Sequence, residues 1–146
     1  MFKHILITTD GSPVANKAVK AGIELAKVLG ARVTAYYATE ALQLMYVEGY
    51  AFDQKMIDGL ERRAREAGQK RVDVIGKLAK AAGVNCTSVV TTAFTPYEGI
   101  IKAARKQKCD VIFMASHGRR GISRLLMGSV TQKVLSHSKI PVVVYR

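Results

Sequence analysis

Apolar residues follow two alternating patterns along the chain. Short apolar or β-branched runs, typical of buried strands, cover residues 2–9, 31–39, 85–92, 109–116 and 140–146. Longer stretches with apolar residues every three or four positions, typical of helices, cover residues 13–29, 53–82, 96–107 and 129–136. Alternation of this kind predicts an α/β fold, with one doubly wound, mostly parallel sheet of five strands and helices on both faces. No linker or repeat divides residues 1–146, so we predict a single domain.

Several residues predict where helices begin and end. Ser12 before Pro13 is a favourable start, and Gly30 suits a left-handed end to the same helix. Thr95-Pro96-Tyr97-Glu98 predicts a capping box. Residues 40–52 look irregular and contain Tyr46, Tyr50 and Phe52; they are either a flap over a binding site or a segment that packs on a second subunit.

The second helix has an expected apolar stripe, and its basic residues lie largely off that stripe. The stripe comprises Met56, Ile57, Leu60, Ala64, Ala67, Val74, Ile75 and Leu78.

Charge is distributed unevenly. Residues 1–58 hold six basic and six acidic residues, so the net charge of +12 comes entirely from residues 59–146. A basic half favours either a solvated set of helix faces or an anionic partner such as nucleic acid. Because no aromatic residues are interleaved with the basic ones, we favour solvated faces and do not expect nucleic acid as a partner.

Other features concern the compartment and metal binding. No run of about 18 apolar residues could cross a membrane, and the apolar start is short and interrupted by Thr8 and Thr9, so neither a membrane span nor a signal peptide is expected. A cytoplasmic location follows, with Cys86 and Cys109 reduced. The three histidines lie far apart and predict no metal site.

Two loops compete for the place where such domains bind ligands, beyond the carboxyl ends of the strands. In "TTDGSP", Asp10 is either an acceptor for a ribose hydroxyl or adenine amino group, or the start of an Asx-turn. In "ASHGRRG", Gly118 and Gly121 either admit a phosphate to the backbone or simply turn the chain.

The next helix opens at Gly128-Ser129. Free amides at a helix start favour a phosphate, and Ser129 either donates to that phosphate or caps its own helix. Arg119, Arg120 and Arg124 would add positive charge. Since neither GxxxxGK[ST] nor GxGxxG is present, these residues alone leave both interpretations open.

The chain resembles the universal stress protein family over essentially its full length. The resemblance rests on "TTDGS", "MASHGRRGISRLLMGSVTQKVL" and "IPVVVYR". The nucleotide-binding branch of that family carries G-x2-G-x9-G-[ST]; Gly118, Gly128 and Ser129 match it, whereas Ala115 replaces the first glycine. If that position needs a positive φ, alanine is strained there by about 1 kcal/mol or more.

The resemblance implies a fold of the adenine nucleotide alpha hydrolase type with strand order 3-2-1-4-5. It also implies a homodimer joined through the C-terminal strand. Thr8 and Ala38 would line an adenine pocket, and Val130 would follow the phosphate-binding serine. The full set of cofactor-binding positions is Thr8, Asp10, Ala38, Ala115, Ser116, His117, Gly118, Gly128, Ser129 and Val130.

The function that this resemblance implies is binding of ATP, AMP or a related adenine nucleotide by a non-enzymatic stress-response regulator. The alternatives are a stress-linked scaffold without nucleotide and a slow ATPase. No catalytic residue is identified, because no general base stands beside the phosphate loop. Mg²⁺ is expected only together with bound ATP.

Overall fold

Strands and helices alternate along the chain, as the apolar pattern predicts. The structure is a computed structural model that describes residues 1–40, 53–118 and 127–146. Its strands are β1 (His4–Thr8), β2 (Arg32–Glu40), β3 (Cys86–Ala93), β4 (Val111–Ala115) and β5 (Val142–Tyr145). Its helices are α1 (Pro13–Leu29), α2 (Gln54–Ala81), α3 (Pro96–Lys106) and α4 (Ser129–His137).

The five strands form one parallel sheet in the order β3-β2-β1-β4-β5. In the register, Ile5 of β1 pairs with Val33 of β2 on one side and with Val111 of β4 on the other. All residues of β1 and β4 are buried, because helices cover both faces of the sheet centre. This burial explains why those strands are continuous apolar runs, and it confirms the predicted fold and strand order.

Two apolar cores lie on opposite faces of the sheet. On one face, Ile5 and Ile7 pack in a core that includes residues of α1 and α2, among them Val72. On the other face, Leu6 packs in a core with α3 and α4, including Val134. The crossover helices α1 and α2, which come before β3, therefore lie on one face of the sheet, and α3 and α4, which come after it, lie on the other. The winding of the chain reverses between β1 and β4.

The predicted helix ends are confirmed for α1 and wrong in part for α3. The Ser12 hydroxyl accepts a hydrogen bond from the amide of Ala15 at 3.2 Å, and Gly30 ends α1 with φ +60°. Thr95 and Pro96 do start α3, but the Thr95 side chain makes no capping hydrogen bond. Glu98 instead accepts a hydrogen bond from the Tyr97 hydroxyl at 3.1 Å. The capping box is therefore absent.

The buried stripe of α2 differs from the predicted one. Gly68, Val72, Ile75 and Ala79 are buried, whereas Val74, which was assigned to the stripe, is 54% exposed. Gly68 sets this choice of face, since a Cβ there would lie 2.7 Å from the Tyr37 ring and 3.0 Å from Val90. Gly68, which has no side chain, thus lies against β2 and β3, and the predicted apolar positions Met56 and Leu60 are exposed.

Some predicted features fall outside the described residues. These are Gly121, the arginines at 119, 120 and 124, and the flap or subunit-packing segment predicted at 40–52, of which only Glu40 is described, as the last residue of β2. Within the described ranges, no helix is both long and apolar enough to cross a membrane. In the same ranges, no three His, Cys, Asp or Glu side chains are grouped to hold a metal ion, and Cys86 and Cys109 are free thiols.

His4 is a buried titratable residue at the amino edge of the sheet. Its Nε2 lies 2.8 Å from the Thr34 hydroxyl, and the residue is 6% exposed. Burial lowers the pKa of His4 below its usual 6.5, and the positive charge of Arg32 lowers it further, although the Asp110 carboxylate acts in the opposite direction. The folded protein therefore holds His4 neutral at a pH where the unfolded chain already takes up a proton.

We predict that the free energy of unfolding falls as the pH drops below about 6.5, because the unfolded state binds the proton on His4 first. The loss continues until the pH reaches the lowered pKa of the folded state. Chemical denaturation between pH 7.5 and 5.5 measures it. His4→Gln keeps a polar partner for Thr34 but cannot titrate, so its curve should be flatter, by at most about 1.4 kcal/mol per pH unit. Identical slopes in both proteins would contradict the assignment to His4.

Candidate functional site

The candidate site lies at the carboxyl ends of β1 and β4. The winding of the chain reverses between these neighbouring strands, so α1 leaves on one face of the sheet and α4 on the other. Parallel α/β sheets open a crevice at such a point. The two loops singled out from the sequence both border it.

The loop after β1 is a tight turn built around Asp10. The backbone amide of Ser12 donates to Asp10 Oδ1 at 2.9 Å, and the amide of Gly11 donates to the Thr9 hydroxyl at 3.0 Å. The Asx-turn interpretation of Asp10 is therefore confirmed. One carboxylate oxygen is used inside the turn, and the same bond fixes the direction of the other.

That second oxygen lies against the loop after β4. A Cβ on Gly118 would overlap Asp10 Oδ2, so the backbone of Gly118 reaches the carboxylate only because it carries no side chain. The structure thus brings Asp10 and Gly118 into contact, although they lie near opposite ends of the sequence. The pairing of β1 with β4 is what aligns them.

The start of α4 is fastened to the end of β4. The amide of Gly128 donates to the Ser116 carbonyl at 2.8 Å, and the buried Thr131 hydroxyl donates to the Ala115 carbonyl at 2.9 Å. The amide of Ser116 in turn donates to the carbonyl of Tyr145 in β5 at 2.8 Å. Sequence reasoning missed Thr131; its signal was a hydroxyl residue two positions after Ser129 in a helix start.

The first turn of α4 presents backbone amides without a side-chain cap. Gly128 is the N-cap and Ser129 is the first helical residue, so the interpretation of Ser129 as a cap is wrong and its exposed hydroxyl is available to a ligand. The amides of residues 129–131 have no acceptor within the helix, because they belong to its first turn. A Cβ on Gly128 would lie 3.1 Å from the backbone of His117. The free amides of the first turn therefore lie beside His117, and free amides at a helix start favour an anion.

Ala115 occupies the position where the nucleotide-binding branch of the family that the sequence resembles carries glycine. Its side chain is buried in the core that also contains Ile7 and Phe113, next to α1. Among the described residues, only Lys108 and three glycines have positive φ, so Ala115 adopts ordinary backbone angles. The expected strain of alanine at this position is therefore absent.

The remaining candidate residues lie along the same edge. Ser116 is buried, and its hydroxyl lies 2.9 Å from Nδ1 of His117. Thr8 is buried on the face of Leu6, by strand alternation, and Ala38 and Val130 pack against the core on that face. The polar positions thus gather at the loops, whereas these three residues mark the α3 and α4 side of the sheet.

Arg71 of α2 is a site neighbour that sequence reasoning missed. Its guanidinium carbon lies 5.5 Å from the centre of the Tyr37 ring, and its tip lies against Gly11, where a Cβ would overlap it. Gly11 has φ +77°, a conformation that favours glycine. Arg71 therefore places a positive charge on the turn that holds Asp10. Its only sequence signal was its position beside Val72 at the border of the buried stripe.

We predict that Gly11→Ala destabilises the protein more than Gly30→Ala does. Both positions have positive φ, but a Cβ at Gly30 meets nothing within 4 Å. The shared backbone cost is about 1–2 kcal/mol. At Gly11 the flexible end of Arg71 must also leave Tyr37, which adds roughly 0.5–1 kcal/mol. Denaturant unfolding measures both changes. The excess should disappear in an Arg71→Ala background, and an excess that persists there would contradict the contact.

Comparisons with known proteins identify the family of the chain. The sequence matches the Universal stress protein family model over residues 1–146. It is 30% identical over 146 residues to universal stress protein MJ0531 of Methanocaldococcus jannaschii, covering all of this chain and 83% of that protein.

Solved structures show the same fold. Protein MJ0577 of Methanocaldococcus jannaschii superposes with a TM-score of 0.84 at 27% identity, over 99% of this chain and 95% of the other. A universal stress protein in complex with cAMP gives 0.71 at 22% identity, over 99% and 97% of the two chains. The Archaeoglobus fulgidus universal stress protein in complex with dAMP gives 0.57 at 16% identity, over 100% and 98%. With a family match that spans every residue, this chain belongs to the universal stress protein family.

Proposed function

We propose that this protein binds an adenine nucleotide, ATP or a related one, and acts through that binding as a stress-response regulator. The observation that carries the proposal is the uncapped first turn of α4, held against Ser116 and His117 at the point where the winding of the sheet reverses. Backbone amides at a helix start favour a phosphate, and Gly118 and Gly128 let Asp10 and His117 approach more closely than a side chain at either glycine would allow.

The proposal that the ligand is an adenine nucleotide draws on two family members. Their structures are complexes with cAMP and with dAMP, two ligands that share adenine. In this chain, Thr8 and Ala38 would border the base, and Asp10 would face the nucleoside end. Ser129 and the amides that follow it would contact the phosphates, with Gly118 and Gly128 admitting them. Ser116 and His117 lie between these two ends of the site, and Val130 packs beneath the phosphate end.

Binding, rather than phosphoryl transfer, suits the residues around the candidate site. The Asp10 carboxylate is engaged by the amide of Ser12 and lies against Gly118, so it is not placed as a general base. The described parts of the chain contain no group of three or more His, Cys, Asp or Glu side chains that could hold a metal ion. Any Mg²⁺ would therefore bind together with the phosphates of ATP.

We also propose a homodimer that joins through β5. Val142–Tyr145 is a short apolar strand at the edge of the sheet, and all four residues are only half-buried. A second copy paired along this edge would cover them and satisfy the outward-facing backbone groups. Two free cysteines support a reducing compartment, the cytoplasm.

Calorimetric titration with ATP tests the nucleotide site, and Gly118→Val should abolish the binding. The valine side chain would displace the Asp10 carboxylate and enter the space meant for phosphate. Gly59→Val is the matched control, because a Cβ at Gly59 meets nothing within 4 Å, and it should bind as the wild type does. Circular dichroism verifies folding of both variants. Absence of binding by the wild type at millimolar ATP would refute the proposal, and normal binding by Gly118→Val would place the site elsewhere.

Ser129→Ala should weaken ATP binding about tenfold, the effect of one hydrogen bond to a charged group. Stability should not change measurably, because Ser129 is exposed and does not cap α4. Ser136→Ala, in the last turn of the same helix, is the control that should leave the affinity unaltered. Titration and thermal unfolding of the three proteins give both quantities. Equal affinities for Ser129→Ala and the wild type would exclude the hydroxyl from the site.

A further inference from the structure

A second basic hollow lies at the opposite, amino-terminal edge of the sheet. It has a volume of about 300 Å³ and lies between the ends of α1 and α2 and the starts of β1 to β3. The lining includes Lys3, Lys27 and Arg32 and contains no carboxylate. Since the nucleotide loops border the carboxyl edge, this hollow is separate from the candidate nucleotide site.

The cations of this hollow are not neutralised by ion pairs. Within the described parts of the chain, the one salt bridge joins Arg62 and Glu66 on α2. The Asp110 carboxylate adjoins the amino edge, where it accepts hydrogen bonds from the backbone amides of Lys3 and His4 at 2.7 and 3.1 Å. In the described residues this carboxylate forms no salt bridge with Lys3, Lys27 or Arg32.

Bare backbone borders the hollow between these cations. Gly30 and Gly83 both have positive φ, and a Cβ at either would meet nothing within 4 Å. The amides of Gly30 and Gly83 donate to the carbonyls of Lys27 and Lys80, so contacts with an anion at these turns would come from the basic side chains. A second hollow of about 390 Å³ adjoins the first through Gly83, Val84 and Asn85, and it adds Lys80. Together the two hollows form a continuous basic surface with four cationic side chains.

We propose that this surface binds a linear phosphate chain of at least two phosphoryl groups. Arginine offers a planar fork to phosphate oxygens, and lysines add point charges along the chain. Two adjoining hollows favour a chain over a single phosphate. The same chemistry occurs in a nucleic-acid backbone, but no aromatic residue lines either hollow, so bases would have nothing on which to stack. The phosphate chain alone therefore fits better.

Titration of ¹⁵N-labelled protein with sodium tripolyphosphate tests the proposal, because the backbone amides whose NMR signals shift locate the binding site. The amides of Gly30, Ala31 and Gly83 should shift together. Shifts confined to Gly118, Gly128 and Ser129 would overturn it, because they would assign the phosphate chain to the nucleotide loops. This readout does not depend on whether the wild type binds ATP.

Charge-matched variants separate a site from a general charge effect. Lys27→Gln with Arg32→Gln should weaken tripolyphosphate binding at least tenfold. Lys17→Gln with Lys20→Gln removes the same charge from α1 outside the hollow and should change the affinity less than twofold. Equal losses in the two double variants would overturn the proposal. A single-stranded oligonucleotide of equal charge should bind more weakly than tripolyphosphate. Tighter binding of the oligonucleotide would overturn the proposal and identify nucleic acid as the ligand.

Discussion

The parallel pairing of β1 with β4 is the contact on which the rest of the site depends. Through it the turn at Asp10 lies beside the loop that begins at Ser116, and a single missing side chain, at Gly118, lets the two touch. Helices on both faces bury every residue of these two strands, so the pairing register cannot slip without exposing apolar side chains. The polar residues at the strand ends are therefore placed by the apolar core beneath them.

Most of the fold could be predicted from local sequence. The alternating patterns identify the nine elements of the described ranges. Ser12, Pro13 and Gly30 mark the ends of α1, because each acts through its own backbone angle or a hydrogen bond three residues away. Prediction failed where the burial of a residue depends on a neighbour that is distant in the sequence. Val74 is exposed because Gly68 of the same helix lies against Tyr37 of β2, which turns Val74 away from the sheet. Such preferences arise only once the helices have packed on the sheet.

The site shows the same division. Asp10, Gly118, Gly128 and Ser129 are predicted from their positions after strands and at a helix start. Arg71 and Thr131 were not, because their roles depend on contacts with Gly11 and Ala115 that no spacing in the sequence indicates. Ala115 is the most informative position. It replaces the first glycine of the nucleotide-binding pattern, yet its methyl group lies in the core beside α1. The chemical meaning of that substitution depends on which face of β4 it occupies.

The hydrogen bond from the amide of Gly128 to the carbonyl of Ser116 has an evolutionary consequence. It joins the two ends of the segment between β4 and α4, and Thr131 fastens the same helix start to the strand. Insertions between such fixed ends cost little conformational entropy, about 0.6 kcal/mol for each doubling of length. Evolution can therefore replace or lengthen the residues between these two ends. The sheet and both cores stay unchanged when it does.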